Sequence, residues 1–250
     1  MTTAPLERWI GKLAVVSGAS SGIGEAISIQ LVKAGVHVLG TARGKDRLVN
    51  LSERLKNEKG KFYYSVADFS KEEDILNVFK WAEDNVGPVH ILVNNAGVRK
   101  NTNLVEGDTE LWKNIIDTNV LGLCIATREA LKIMSKNNID GHIIHINSIT
   151  GHKVVYHSQS NVYPASKYAV TALTETLRQE LNSIGSKTKV TSISPGLVDT
   201  NFLSEGNVGL FDSLPTLESE DIADAVVYVL GTPPHVQIHE LMIRPVGEPL

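Results

Sequence analysis

Short apolar runs alternate along this chain with longer stretches in which apolar residues recur at helical spacing. Most of the short runs are four or five residues long, which is typical of parallel strands buried on both faces. The longer stretches predict helices that cover the two faces of such a sheet. We therefore expect one doubly wound α/β domain over residues 1–250, with strands at 13–16, 36–39, 62–66, 89–93, 142–146, 189–193 and 236–243.

The predicted helices span residues 25–34, 70–85, 108–138, 163–184 and 221–230. The second is opened by Ser70-Lys71-Glu72-Glu73, a pattern typical of a capping box. Residues 201–217 carry scattered apolar side chains, including Phe202, without any clear period. We interpret this segment as a lid over an apolar substrate.

A glycine-rich turn, SGASSGIG at residues 17–24, joins the first strand to the first helix. In dinucleotide-binding proteins such glycines let the backbone approach a pyrophosphate that sits on the helix N-terminus. The spacing of Gly18, Gly22 and Gly24 is G-x-x-x-G-x-G, not G-x-G-x-x-G. A cofactor loop is the favoured interpretation, and a plain structural turn stays open as the alternative.

Arg43 follows the second strand, where an acidic residue would bind the 2′-hydroxyl of a ribose. An arginine at this place accepts a 2′-phosphate instead, so the charge favours NADP(H). The alternative is an ordinary solvated surface arginine.

Polar residues also follow the later strands. Asp68 follows the third strand, where it could meet an adenine; NNAG (94–97) follows the fourth, Ser148 the fifth and PGLVDT (195–200) the sixth. Carboxyl ends of parallel strands share one edge, where open α/β sheets bind ligands. Taken singly, NNAG and Ser148 are equally compatible with plain turns.

Tyr163 and Lys167 stand four residues apart in YPASK, on one face of a predicted helix. A nearby ammonium favours the phenolate form, so Lys167 is expected to lower the pKa of Tyr163 and make it an acid–base group. On five residues alone, an ordinary amphipathic helix is the alternative. Asn119 lies among apolar residues, where its amide either ties off backbone or holds a water behind Lys167.

Composition limits the possible partners. Lys and Arg number 24 against 28 Asp and Glu, a net charge of −4, which gives no electrostatic case for nucleic acid or an anionic membrane. No apolar stretch reaches the ~18 residues of a membrane span. The single cysteine, Cys124, excludes an intrachain disulfide and fits a reducing compartment, so we expect a cytoplasmic protein.

In this order, the glycine loop, Asp68, NNAG, Asn119, Ser148, YPASK and PGLVDT resemble the short-chain dehydrogenase/reductase family over nearly the whole chain. The resemblance implies a Rossmann-type, seven-stranded parallel sheet and a homodimer or homotetramer built through helices 108–138 and 163–184. It implies a catalytic tetrad of Asn119, Ser148, Tyr163 and Lys167, with no metal. Ser148, Tyr163 and Phe202 are the expected substrate contacts. The expected NADP(H) contacts are Gly18, Ser20, Ser21, Gly22, Ile23, Gly24, Arg43, Asp68, Phe69, Asn95, Ala96, Gly97, Tyr163, Lys167, Pro195, Gly196, Val198 and Thr200.

Two features depart from the common family pattern. Ser21 stands where many NADP-dependent members have a basic residue, and the interval from Ser148 to Tyr163 is slightly long. Glu7-Arg8-Trp9 and Ile243-Arg244-Pro245 further resemble insect farnesol dehydrogenase-like proteins and the vertebrate dehydrogenase/reductase member eleven group. That resemblance implies NADP(H)-dependent interconversion of an apolar alcohol and its carbonyl. Farnesol-type isoprenoid alcohols are the favoured substrates. A keto-steroid or general carbonyl reductase is the alternative, and a non-catalytic NADP(H)-binding scaffold is a further one.

Overall fold

A computed structural model describes residues 6–154, 161–200 and 214–249. Seven parallel strands form one sheet in the order β3-β2-β1-β4-β5-β6-β7. The strands are β1 (Leu13–Ser17), β2 (His37–Ala42), β3 (Phe62–Val66), β4 (Val89–Asn94), β5 (His142–Ile146), β6 (Lys189–Pro195) and β7 (Glu240–Ile243). The strand order reverses between β1 and β4, and ligands bind at such a switch point. The predicted seven-stranded, doubly wound parallel sheet is confirmed.

Helices cover both faces of the sheet. They are α1 (Gly22–Lys33), α2 (Lys45–Leu55), α3 (Glu72–Asn85), α4 (Thr109–Ile116), α5 (Leu123–Lys136), α6 (Tyr163–Ser183) and α7 (Ser219–Gly231). A π-helical turn, Asp117–Gly122, joins α4 to α5, and short 3₁₀ turns lie at Glu7–Trp9 and Ile149–Gly151. Within the described ranges, none of these helices combines the length and the apolar character that crossing a membrane would need.

The sheet separates two hydrophobic cores because alternate residues of a strand point to opposite faces. Ala14 and Val16 pack with α1, α2 and α7, whereas Leu13 and Val15 pack with α3, α5 and α6. Every residue of β1, β5 and β6 is buried. This double burial explains why β1 reads as a continuous apolar run in the sequence.

Several element boundaries differ from those predicted. The pattern gave no helix at α2, a charged segment whose only buried residues are Leu48, Leu51 and Leu55, three or four positions apart. α1 begins at Gly22, inside the glycine turn, and β7 begins only at Glu240.

The capping box predicted at Ser70 is wrong. Lys71 is the N-cap of α3 and makes no capping hydrogen bond with its side chain. The Ser70 hydroxyl donates instead to Asp68 Oδ1 at 2.8 Å, since an acceptor two residues upstream competes for it. Asp74 accepts the hydrogen bond from the Asp68 N–H at 2.8 Å.

The lid predicted at 201–217 falls mostly on residues 201–213, which lie outside the described residues together with Phe202. Its last residue, Leu217, is described and forms an isolated parallel bridge with Val198. The Leu217 N–H donates to Leu197 O and the Asp199 N–H donates to Leu217 O, both at 2.8 Å. Leu217 is therefore anchored to the segment after β6.

Candidate active site

The segments that follow β1, β2, β3, β4, β5 and β6 all leave the same edge of the sheet, because every strand pair is parallel. Each polar motif predicted for a strand end follows one of these strands. The topology thus lines up the glycine loop, NNAG, Ser148 and PGLVDT along a single edge, as parallel pairing requires.

The glycine loop is packed directly against NNAG. Asn95 Nδ2 donates to Ser17 O at 2.9 Å, and the Ser17 hydroxyl accepts from the N–H groups of Asn95 and Ala96 at 3.0 and 2.9 Å. A Cβ on Gly24 would lie 2.3 Å from Gly18 O, and Gly18 has a positive φ of 69° with Asn95 Nδ2 2.9 Å from its own Cβ position. Only glycine fits at these two positions without moving backbone.

The first turn of α1 begins at this loop. Ser21, the N-cap, has an extended backbone, and its side chain makes no capping hydrogen bond. Gly22 has a positive φ of 55°, and Ser20, Ser21, Gly22 and Ile23 keep partial exposure. The N–H groups of a helix start carry partial positive charge, so this turn is suited to an anion such as a pyrophosphate.

Arg43 is exposed at the end of β2 and lies near Asp68, which follows β3. Burial acts to raise the pKa of Asp68, but hydrogen bonds from Ser70 and the charges of Arg43 and Lys71 outweigh it, so the net pKa is lowered. Asp68 is therefore a carboxylate, and one of its oxygens is already occupied by Ser70. The next residue, Phe69, is buried.

The segment after β6 is tied to the carboxyl-terminal residues. The Gly196 N–H donates to Ile243 O at 2.7 Å, and the Leu197 N–H donates to Glu248 Oε1 at 2.9 Å. A Cβ on Gly196 would lie 2.6 Å from a Glu248 carboxylate oxygen, and Arg244 hydrogen-bonds the same carboxylate. Glu248 was not predicted from the sequence, because no local sequence pattern indicates that its side chain contacts Leu197.

Thr200 brings this segment to the glycine loop. Its Cγ2 lies 3.0 Å from the Cβ position of Gly22, and its hydroxyl donates to Val198 O at 3.4 Å. Of the predicted contacts in this segment, Thr200 therefore lies directly against the start of α1.

Three hydroxyl groups meet at the start of α6. Ser148 is the N-cap of the 3₁₀ turn after β5, and its Oγ accepts from the Thr150 N–H at 3.1 Å and from the Thr150 hydroxyl at 2.9 Å. The hydroxyl of Tyr163 shares hydrogen bonds with both Ser148 and Thr150. Sequence reasoning found Ser148 and Tyr163 but missed Thr150, although the Ser-x-Thr spacing at a turn was a readable signal.

Lys167 stands one helical turn after Tyr163 and is buried, with 8% of its surface exposed. Its Nζ donates to Ile146 O at 3.0 Å and lies 5.9 Å from the centre of the Tyr163 ring. Burial disfavours the charged form and lowers the pKa of Lys167 to about 8.

The expected lowering of the Tyr163 pKa by Lys167 is wrong. Burial raises the pKa of Tyr163 to about 12, and the opposing effects of Ser148, Arg99 and Thr150 do not offset it. The cation that acts on the phenol is Arg99, which follows NNAG and was not predicted. Desolvation therefore dominates over the helical pairing with Lys167.

Asn119 lies in the π-helical turn and is buried. Its Oδ1 accepts from the Val98 N–H at 2.8 Å, and its Nδ2 donates to Val98 O at 3.0 Å and to Ser166 Oγ at 3.1 Å. Ser166 in turn donates to Tyr163 O at 2.7 Å. The Asn119 amide therefore satisfies backbone groups of Val98, as the first of its two predicted roles requires, and the second, holding a water behind Lys167, stays a prediction.

Comparison with known proteins places this arrangement in a family. A profile described as short chain dehydrogenase matches residues 12–208. The chain is 53% identical to a farnesol dehydrogenase of Aedes aegypti, covering 97% of this chain and 99% of that protein. It is 42% identical to human dehydrogenase/reductase SDR family member 11, covering 98% of each.

Solved structures agree with this result. A serine dehydrogenase complexed with NADP+ superposes with a TM-score of 0.86 at 32% identity, covering 95% of this chain and 96% of that one. An alcohol dehydrogenase of the archaeon Thermococcus sibiricus, complexed with 5-hydroxy-NADP, superposes with a TM-score of 0.85 at 29% identity. The match covers 96% of this chain and 98% of that one. The chain is an oxidoreductase of the short-chain dehydrogenase family.

Proposed function

We propose that this protein is an NADP(H)-dependent oxidoreductase that interconverts an apolar alcohol and its carbonyl, with farnesol-type isoprenoid alcohols as substrates. The observation that carries the proposal is the contact between the Tyr163 and Ser148 hydroxyls beside Lys167, at the sheet edge that also holds the glycine loop. The 53% identity to a protein named farnesol dehydrogenase supports the substrate class.

The residues at this edge fit a dinucleotide. The packing of the glycine loop against NNAG leaves no room for a Cβ at Gly18 or Gly24. The uncapped first turn of α1 offers N–H groups to a pyrophosphate. Asp68, Phe69, Asn95–Gly97 and the 195–200 segment would line the remainder of the cofactor. When bound, the cofactor supplies the hydride acceptor or donor.

Arg43 supports NADP(H) over NAD(H). It is exposed at the end of β2, its charge acts on Asp68, and a guanidinium suits a 2′-phosphate. The solved relatives complexed with NADP+ and with 5-hydroxy-NADP agree with that preference.

The protein's own groups would handle the proton. Ser148 hydrogen-bonds the substrate oxygen, and Tyr163 takes the hydroxyl proton in oxidation or returns it in reduction. Lys167 would hold the cofactor's ribose and would place positive charge near the phenol. Asn119 acts as a brace, because its amide fixes Val98 and Ser166 around the start of α6.

Apolar side chains favour an apolar substrate. Leu104 and Val105, on the segment after β4, are 65% and 90% exposed, and Val154, beyond the turn after β5, is 63% exposed. These segments leave the catalytic edge of the sheet, where an isoprenoid chain would be covered. Phe202 is proposed as a further substrate contact.

We also propose that copies of the chain associate through the face that carries Leu121 and Tyr168, which are 50% and 42% exposed. α6 exposes fewer apolar side chains to a second copy than its sequence predicted, because Val170, Leu177 and Leu181 are buried within the chain itself. A cytoplasmic homodimer or homotetramer remains the proposal, and light scattering after gel filtration measures its mass.

The proposal is tested by following NADPH formation from farnesol and NADP+ and comparing the rate with NAD+. A keto-steroid and a simple diketone, assayed in the reductive direction, test the rival carbonyl reductases. Tyr163→Phe removes the catalytic hydroxyl and keeps the ring. This variant should lower turnover by ~10²-fold or more while NADPH still binds. Binding of NADPH without turnover of any of these substrates by the wild type would favour a scaffold, and near-normal turnover by Tyr163→Phe would refute the catalytic assignment.

A further inference from the structure

Residues 98–102, which follow NNAG, are held at two points. Asn119 fixes Val98 through both its N–H and its carbonyl, at 2.8 and 3.0 Å. Asn161 Nδ2 donates to the carbonyls of Lys100 and Thr102 at 2.9 and 3.2 Å. Arg99 therefore lies between two anchored neighbours, and the path of its backbone is set by two amides from distant parts of the chain.

Asn161 also caps the helix that carries the catalytic tyrosine. Its Oδ1 accepts from the Val162 N–H at 2.6 Å and from the Tyr163 N–H at 3.2 Å. The N-cap residue Val162 has no side-chain acceptor to do this. Asn161 adopts a φ of 46°, a left-handed conformation that asparagine tolerates better than most residues.

The two segments joined by Asn161 carry groups that act on each other. Arg99 is half-buried, and the charges of Arg99 and Tyr163 interact reciprocally. Within the described residues, the charged groups that face Tyr163 are Arg99, from the segment after β4, and Lys167, from its own helix. Ser148 and Thr150, from the turn after β5, contribute neutral hydroxyls. A guanidinium near a phenol favours the phenolate form.

We propose that Asn161 is a positioning residue that joins the Arg99 segment to the start of α6 and so sets the separation between the Arg99 guanidinium and the Tyr163 hydroxyl. The inference rests on the proposed role of Tyr163 as the proton-transfer group. The Asn161 oxygen holds the tyrosine, and its nitrogen holds the arginine segment. Arg99 then supplies positive charge to the phenol when the proton leaves.

Three substitutions separate these roles. Asn161→Gly keeps the left-handed backbone but removes both sets of hydrogen bonds. Asn161→Asp keeps the acceptor for Val162 and Tyr163 but loses the donor to Lys100 and Thr102. Asn138→Gly is the matched control, because Asn138 has a similar φ of 52° at the exposed end of α5, away from the catalytic edge.

We expect Asn161→Gly and Asn161→Asp to lower kcat about tenfold while KM for NADP+ stays within about twofold. The pH profile of alcohol oxidation should move upward by about half a unit or more, since the phenol loses part of the effect of its cation. A merely structural role would reduce the melting temperature without moving the profile. Asn138→Gly should match the wild type in both kinetic measurements.

Arg99→Met tests whether Asn161 acts through the guanidinium. In that background Asn161→Asp should cause no further shift of the profile, because coupled residues are not additive. A shift that persists undiminished in Arg99→Met would assign the effect to the new carboxylate and overturn the proposal. An unchanged kcat and pH profile in Asn161→Gly would overturn it as well.

Hydrogen exchange gives a measurement that needs no substrate. Asn161→Asp should speed exchange at residues 98–102 and leave the first turn of α6 protected, whereas Asn161→Gly should speed exchange in both. If farnesol is not turned over by the wild type, the proposed substrate is wrong. The exchange pattern still tests whether Asn161 joins residues 98–102 to the start of α6. If residues 98–102 exchange at the wild-type rate in Asn161→Asp, the proposed link through Asn161 is wrong, whatever the substrate.

Discussion

The ammonium nitrogen of Lys167 lies 5.9 Å from the centre of the Tyr163 ring and donates to the main-chain oxygen of Ile146 at 3.0 Å. The two side chains are therefore neighbours on one helix, and the lysine is also tied to the end of β5. Both are strongly affected by burial, which lowers the pKa of Lys167 to about 8 and raises that of Tyr163 to about 12. At neutral pH the phenol is therefore protonated, and Lys167, although its pKa is lowered, still carries most of its positive charge.

The buried lysine should make stability depend on pH. Its pKa is about 8 in the folded protein and 10.5 as the reference value, so between these values the unfolded chain binds more protons than the native one. Unfolding free energy contributed by Lys167 then rises with pH through that window, by up to about 3 kcal/mol. Urea unfolding at pH 7.5 and pH 10 should show this rise in the wild type, and Lys167→Met should lose the part that Lys167 contributes. Lys189, whose pKa burial also lowers to about 8, keeps its own contribution in that variant. Lys187→Met, at an exposed position, is the control and should keep the rise.

Gly24→Ala should damage the glycine loop through its backbone. The new Cβ would lie 2.3 Å from Gly18 O and 2.5 Å from Asn95 Nδ2, so backbone must move. We expect a loss of about 1–3 kcal/mol in unfolding free energy and weaker NADP+ binding, measured by urea unfolding and calorimetry. Gly44→Ala places its Cβ in open space, with nothing within 4 Å, and should leave both measurements unchanged. Equal losses in the two variants would contradict the packing argument.

Arg43→Ala should change cofactor preference. Loss of a charge-assisted contact to a 2′-phosphate costs about 1.5–3 kcal/mol, equivalent to a rise of about 10- to 100-fold in KM for NADPH, with KM for NADH nearly unchanged. Steady-state kinetics with both cofactors measure the ratio. Arg47→Ala is the control, because Arg47 is also exposed but lies four residues later, inside α2. An unaltered NADPH/NADH preference in Arg43→Ala would show that Arg43 does not bind the 2′-phosphate of the cofactor.

Two histidines inside β5 should make the protein sensitive to acid. Burial lowers the pKa of His142 and of His145 to about 3, and the ring nitrogens bond to Thr191 and Thr174 at 2.9 Å. Below the reference pKa of 6.5 the unfolded chain takes up protons that the native state does not, so stability falls as pH drops. Each histidine contributes about 1 kcal/mol of that fall between pH 7 and pH 5.5.

His145→Gln should therefore reduce the fall in unfolding free energy between pH 7 and pH 5.5 by about 1 kcal/mol relative to the wild type. Urea titrations at the two pH values measure the difference. His235→Gln, at an exposed position, serves as the control for loss of a histidine. The same pH dependence in His145→Gln and in the wild type would contradict the burial argument.

The sequence alone was sufficient to predict the sheet, the edge at which its motifs meet and the pairing of Tyr163 with Lys167 along one helix. These features depend on local rules: apolar runs form buried strands, glycines permit the sharp turn, and residues four apart share a helix face. The same rules missed α2, whose buried stripe is only three leucines, and misassigned Ser70, whose hydroxyl is taken by Asp68.

Only the tertiary structure determined the electrostatics and the bracing of the site. The high pKa of Tyr163 comes from burial, and the nearby charge of Arg99 comes from a segment 64 positions earlier in the chain (163 − 99). Asn161 reaches Lys100 across 61 positions, and Glu248 reaches Leu197 across 51. Desolvation and such long-range hydrogen bonds depend on how distant segments pack, and no local pattern of residues encodes that distance.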